Sequence, residues 1–435
     1  MVRRLIGIVK NAAPAGSLPM ALALGISGLA AYGFLVLSAH ALGPARYASL
    51  SVLWALIFLA APGFFLPLEQ EIARLVSAQR AAGQGGGPVL KRAAICGAVL
   101  VSLLLVTALI ARPVLDRLFD EDALLSLSFL LALVAYCGQH IVRGALSGNG
   151  HFNRYALLIA GEGLFRFGGC LALLAIGVTA AGPYGIVVAA APVAGIVLSA
   201  RRGRGIMSPG PVTRWRELST ALGYLLTGSV LSQLLVNAGP IAVKLLATPE
   251  QSHLAGSFLA GLVLARIPLF LFQSVQAALL PQLAALAERG RIAEFKSSLV
   301  RLLAAVAGVA AVATVAAFVV GPGLLRFLFG PGFELGRVDF AYLAAASGTL
   351  MVAITLAQAL IALSHHGRAV AGWFCGVVGL AVATAAGDEL LLRVETGLLA
   401  GAAVSVAVLG TQLVGLLARR PSAQAAPALV EARKP

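Results

Sequence analysis

Runs of about twenty apolar residues recur along this chain from Leu18 to Leu417, each long enough to cross a ~30 Å hydrocarbon layer as a helix. No stretch between them could fold as a soluble domain. The reading is twelve spans, near 18–41, 49–67, 92–111, 123–144, 154–177, 182–200, 217–246, 253–280, 299–329, 338–364, 367–387 and 397–418. With 60% apolar residues, 11% charged residues and a mean hydropathy of +0.95, the 435 residues do not read as two or three soluble domains. Backbone polar groups left unpaired in lipid are too costly, and the short alternating strands of an outer-membrane barrel are absent, so the spans are helices. The expected fold class is an all-α polytopic membrane protein of about 12 transmembrane helices. The first run, about 24 residues long, exceeds a signal-peptide core and reads as span one.

Lysine and arginine set the expected orientation. With the N-terminus in the cytoplasm, most of the 32 basic residues fall on the cytoplasmic side. Only Arg46, Arg112, Arg117, Lys244, Arg326, Arg337 and Arg393 fall outside, where the acidic cluster Asp120, Glu121 and Asp122 also lies. Both termini are then cytoplasmic. The net charge of +15 is explained by a cytoplasmic face held against anionic lipid, and no soluble module exists to bind nucleic acid. Cys96, Cys137, Cys170 and Cys375 lie in spans at spacings that match no metal or redox motif and read as small core residues.

Between spans six and seven the basic, glycine- and proline-rich segment 201–216 reads as a cytoplasmic linker. It separates an N-terminal six-helix lobe, 1–200, from a C-terminal one, 217–418. The tail 419–435 reads as disordered. A shift of 206 residues places Pro62 on Pro268, Phe64 on Phe270 and Gln70 on Gln276. Six spans per half make this a parallel repeat, an architecture in which two bundles enclose a central cavity and rock to open it on alternate sides. Pro62 and Pro268 are the expected helix kinks, either freeing carbonyls at a cavity wall or marking ordinary packing irregularity.

No catalytic or nucleotide-binding signature is present. Gly83, Gly85, Gly86 and Gly87 lack the lysine and hydroxyl residue of a phosphate loop. No catalytic residue, cofactor or metal is expected. The informative residues are the ionisable ones inside spans. Glu162 and Arg166, four apart, share one face of span five near mid-membrane. They read either as a cavity pair, with Arg166 holding an anionic group and Glu162 an ion-coupling site, or as a self-neutralising structural pair. Arg266, before Pro268 in span eight, points to a second cavity cation or to a partner for Glu162. Arg143, at the end of span four, reads as a snorkelling side chain or as a third substrate-binding arginine. Lys244 reads as a snorkelling anchor. Gln233, Asn237, Gln273 and Gln276, with Gln358, are polar enough to line a cavity or to hydrogen-bond between helices. His140, His365 and His366 receive no role. Two mid-span arginines against one glutamate favour an anionic substrate, since a guanidinium stays charged when desolvated and grips phosphate with two bonds.

Three stretches resemble the polysaccharide-biosynthesis branch, with its O-antigen-type flippases, of the multidrug/oligosaccharidyl-lipid/polysaccharide (MOP) exporter superfamily. They are Leu42, Gly43, Pro44 and Tyr47 leading to Pro62; Arg143, Gly144, Gly148, Phe152, Tyr155, Glu162 and Arg166; and Gln358, Ala359 and Leu360 to Gly367. The resemblance spans nearly the whole chain. It implies a MATE-like fold of two six-helix lobes and a flippase moving a lipid-linked saccharide on a polyprenyl-phosphate type carrier across the bacterial plasma membrane, coupled to a proton or cation gradient. The implied partners are that lipid-linked glycan, membrane lipids, and glycosyltransferases or a polymerase of the same pathway; a monomer is expected. The rivals are a cation-coupled multidrug exporter of the same fold, a membrane-embedded glycosyltransferase, which would need catalytic acids in a large outer loop, and a non-transporting scaffold of a glycan-synthesis complex. Span one has no acid to match the cation site of the drug-exporting branch.

Overall fold

A computed structural model describes residues 17–200, 208–211, 215–251 and 253–419. Most of the expected linker 201–216 and all of the tail beyond Arg419 lie outside the described residues. Among those described there are helices and no strands. Helix α1 is Ser17–Ala60, followed by a π-helical turn Ala61–Phe65 and by α2, Leu66–Ala81. Then come α3 (Gly87–Ile110), α4 (Arg112–Leu118), α5 (Ala123–Gly148), α6 (Phe152–Ala175), α7 (Ala181–Ala200) and α8 (Trp215–Leu246). The remainder is α9 (Leu254–Ala265), α10 (Ile267–Glu288), α11 (Ile292–Phe329), α12 (Arg337–Ala362), α13 (His366–Ala386) and α14 (Leu390–Arg419).

Among the described residues, ten segments are long and apolar enough to cross a membrane. The first of these, Pro19–Ala81, holds spans one and two. No loop separates that pair. Gly43 alone does so, at φ 68° and ψ 168°, a conformation essentially confined to glycine, with Pro44 removing the next amide donor. Span eight is broken: Arg266 leaves helical geometry (ψ 1°) between α9 and α10. The pair α9 and α10 lies where span eight was expected. Span twelve starts earlier than expected, at Leu390 rather than 397, and so takes Glu395 inside its helix.

The surfaces of these helices are apolar. Leu103, Val106, Leu109 and Ile110 of α3, and Val309, Val312, Val315 and Val319 of α11, are all exposed. Continuous apolar faces of this kind demand a cover, and lipid supplies it: the chain is a multi-pass membrane protein.

The helices form two compact units. Unit 1 comprises Met1–Ala260 and Gly323–Glu334; unit 2 comprises Gly261–Pro322 and Leu335–Pro435. In unit 1, α1 packs on α6, α7 on both α5 and α6, and α2 on α5. A core of Leu68, Ile72, Leu75 and Val76 from α2 meets Val89, Leu90 and Ala93 of α3 and Ala145 of α5. The close approach of α2 to α5 depends on Gly144 and Gly148. A Cβ on Gly144 would lie 2.7 Å from the Glu69 carbonyl oxygen, and one on Gly148 2.6 Å from Val76. In unit 2, α14 packs against both α12 and α13.

Candidate functional site: a buried polar network in unit 1

Four polar residues of α5, Tyr136, Gln139, His140 and Arg143, follow the spacing i, i+3, i+4, i+7, so they form one stripe on a helix that is otherwise apolar. The stripe faces two acids. On one side is Glu69 of α2. His140 Nδ1 lies 2.7 Å from Glu69 Oε2, Arg143 Nε lies 3.2 Å from the same oxygen, and Tyr155 Oη of α6 donates to Glu69 Oε1 at 2.9 Å. Arg143 also donates to Tyr155 Oη, from Nε at 3.2 Å and Nη2 at 2.8 Å. Glu69 is only 6% exposed, and its cage of three residues, His140, Arg143 and Tyr155, supplies the donors that a buried carboxylate requires.

On the other side is Glu162 of α6. Tyr136 Oη donates to its Oε1 at 3.0 Å and Gln139 Nε2 to its Oε2 at 2.7 Å. Arg166, one helical turn on, pairs with Glu162 Oε1 and donates to Tyr136 Oη at 3.1 Å. Arg166 is 2% exposed. Its guanidinium carbon lies 5.2 Å from the Trp54 ring centre and 5.9 Å from that of Phe58. Those rings sit four residues apart on α1 and stack at 4.5 Å. The π-faces stabilise a desolvated cation. Two donor–acceptor capacities stay open: Arg166 Nε has no acceptor and Gln139 Oε1 no donor among the described residues.

The structure thus brings Glu162, Arg166 and Arg143 into one buried region and adds Glu69, His140, Tyr136, Gln139, Tyr155 and Trp54, which sequence reasoning left unassigned. The α5 stripe was the available signal. Arg143, expected to snorkel if it did not bind substrate, turns inward to Glu69 instead. Lys244 is not a snorkelling anchor: its side chain is 3% exposed and pairs with Asp120 at 2.7 Å.

Asn237 and Gln233 of α8 are engaged near the Pro62 turn. Proline has no amide hydrogen, so the carbonyl four residues earlier, that of Phe58, loses its helical donor. Asn237 Nδ2 supplies one at 3.2 Å, and also bonds Gln233 Oε1 at 3.0 Å. Ser229 Oγ donates to the Pro62 carbonyl at 2.8 Å. Pro268 is the second residue of α10, just after the half-buried Arg266, both in unit 2. Gln273 and Gln276 fall on α10, and their side chains lie outside the described residues.

No protein-family profile matches the chain. It is similar to an uncharacterized protein of Mycobacterium tuberculosis (strain H37Rv), 26% identical over 401 residues that cover 90% of this chain and 88% of the relative. Another uncharacterized protein, of Mycobacterium bovis, is 27% identical over 408 residues, covering 91% and 90%. Among solved structures, the inward-facing conformation of a multidrug resistance MATE family transporter of the MOP superfamily matches with a TM-score of 0.72 at 14% identity, over 92% of this chain and 96% of that one. The outward-facing conformation of such a transporter gives 0.67 at 13% identity, over 93% and 95%. A Vibrio cholerae MATE transporter gives 0.64 at 16% identity, over 92% and 95%. With about ten to twelve apolar helices among the described residues and these likenesses over nine-tenths of its length, the chain has a MATE-like membrane fold.

Proposed function

We propose that this chain is an alternating-access flippase that moves a lipid-linked saccharide, on a polyprenyl-phosphate type carrier, across the bacterial plasma membrane for cell-surface polysaccharide synthesis. The observation that carries this reading is the charge balance inside unit 1. Each buried carboxylate described there is already met by an arginine, Glu69 by Arg143, Glu71 by Arg74 and Glu162 by Arg166. A cationic drug would have to displace an arginine to reach an acid. An anionic head group meets guanidinium donors directly, beginning with the open Nε of Arg166. Phosphate taking Arg166 would release Glu162, which then binds a proton or cation; this exchange couples substrate to ion. Arg266 and Arg143 are the further substrate-binding residues of the proposal, and 1–200 and 217–418 its two repeats. Cytoplasmic termini, a monomeric state and partnership with pathway glycosyltransferases or a polymerase belong to it as well.

A second reading, a cation-coupled multidrug exporter, is favoured by the solved structures of this fold, which are described as multidrug resistance transporters. Proteoliposomes carrying a fluorescent polyprenyl-phosphate-linked sugar separate the two. The flippase reading expects protein-dependent flipping that Arg166→Ala and Arg266→Ala abolish while the variants stay folded. Drug-dye movement without flipping of any head group tested selects the exporter. Movement of neither selects the non-transporting scaffold.

A further inference from the structure

Unit 2 carries a buried acid that the unit 1 network does not use. Glu395 lies on α14, five residues past Leu390 and so ~8 Å along the helix. It is 0% exposed, and neither Oε1 nor Oε2 has a hydrogen-bond partner among the described residues. The side chain that faces it within hydrogen-bonding reach is another acid, Asp339 on the first turn of α12, with Glu389 next nearest.

The surroundings hold the two carboxyls in place. Asp339 Oδ2 accepts the Gly336 amide at 2.6 Å, which fixes this carboxyl at the start of α12. On the third side α13 packs tightly on α14, where Gly397 abuts Leu380 and Thr384. The charges acting on Glu395 are both acidic, Asp339 and Glu389. Of the other ionisable groups on these elements, Arg337 is exposed at the start of α12 and Asp388 is exposed before α14. Arg393 makes its own contacts. Tyr342 lies one turn down α12, and His366, Arg368 and Cys375 lie in the first half of α13, away from the Ala386 end that leads to Glu389.

Two ionised carboxylates are acceptors only and cannot hydrogen-bond each other. Like charges at such range do not both ionise, and an ionised Glu395 with no donor is the costly state of a buried charge. We infer that Asp339 and Glu395 hold one proton between them, forming a protonation site in unit 2 distinct from the unit 1 network. Exposure grades from Asp388 and Glu389 at the surface, through half-buried Asp339, to buried Glu395, which gives the proton a route from water. The orientation read from the basic residues puts this end outside. The site does not depend on which substrate the chain carries.

The test is infrared difference spectroscopy of the full chain in lipid nanodiscs, titrated from about pH 5 to about pH 8, a range above the ordinary carboxyl values. The expected result is a C=O stretch of a protonated carboxyl that persists near neutral pH, is lost in Glu395→Gln and shifts in Asp339→Asn. If Glu395→Gln does not fold, the wild-type band and its response to Asp339→Asn decide. A band absent near neutral pH, or indifferent to both substitutions, overturns the inference. So does a band that sodium ions remove from the wild type at constant pH, because the pair would then hold a metal cation.

Discussion

Replacing Arg166 by methionine leaves Glu162, 8% exposed, without its cation. Removing one partner of a buried pair costs about 3–5 kcal/mol. The lower end applies here, since Tyr136 and Gln139 still donate to both carboxylate oxygens, at 3.0 and 2.7 Å. The lost contact with the Trp54 ring, worth about 2 kcal/mol when desolvated, is partly regained by the methionine thioether on the same rings. The net expectation is a loss of about 3 kcal/mol. In Glu162→Gln/Arg166→Met no uncompensated charge remains, and the cost falls to about 1–2 kcal/mol. The double variant is therefore more stable than Arg166→Met alone. Reversible denaturant unfolding in mixed micelles, run as a double-mutant cycle, measures both numbers. A double variant as unstable as the sum of its single changes would refute the idea that Arg166 chiefly compensates Glu162.

Three further outcomes follow from the geometry. Asp120→Ala strands the Lys244 ammonium, whose side chain is 3% exposed, and is expected to cost about 1–3 kcal/mol in the same unfolding assay, whereas Lys244→Met with Asp120→Ala recovers part of that loss. Gly144→Val drives a branched side chain into the Glu69 carbonyl and Ile72 of α2; it is expected to cost at least about 1–3 kcal/mol and to reduce the folded monodisperse fraction on size exclusion, with Gly144→Ala milder. Gly43→Ala forces a Cβ into a backbone conformation at φ 68° and ψ 168°, a strain of about 1–3 kcal/mol, read as a lower melting temperature with α1 helicity otherwise unchanged.

The membrane fold was legible because lipid demands a continuous apolar run for every crossing, and such runs stand out in any window. The Glu162–Arg166 pair was legible for a similar reason, since partners one turn apart are visible locally. Glu69 and His140 stand 71 residues apart and meet only because Gly144 and Gly148 let α2 lie against α5. Nothing local announces that approach. Lys244 meets Asp120 across 124 residues, so an inward ion pair passed for a boundary lysine. Glu395 was missed by the rule that found the spans: a charged residue ended the apolar run, and the helix was started after it.

The π-helical turn at Ala61–Phe65 sets an azimuth. It winds one more residue into its turn than an α-helix does, and each residue of an α-helix advances the side-chain direction by about 100°. Glu69 lies four residues beyond the turn and takes its compass bearing from it. If those five residues annealed to regular α-helix, α2 would rotate by a comparable angle and swing Glu69 off the line that leads to His140 and Arg143. Register in this short stretch therefore sets the direction in which Glu69 points, and deleting a single residue between Ala61 and Phe65 would turn it without altering any group in the network.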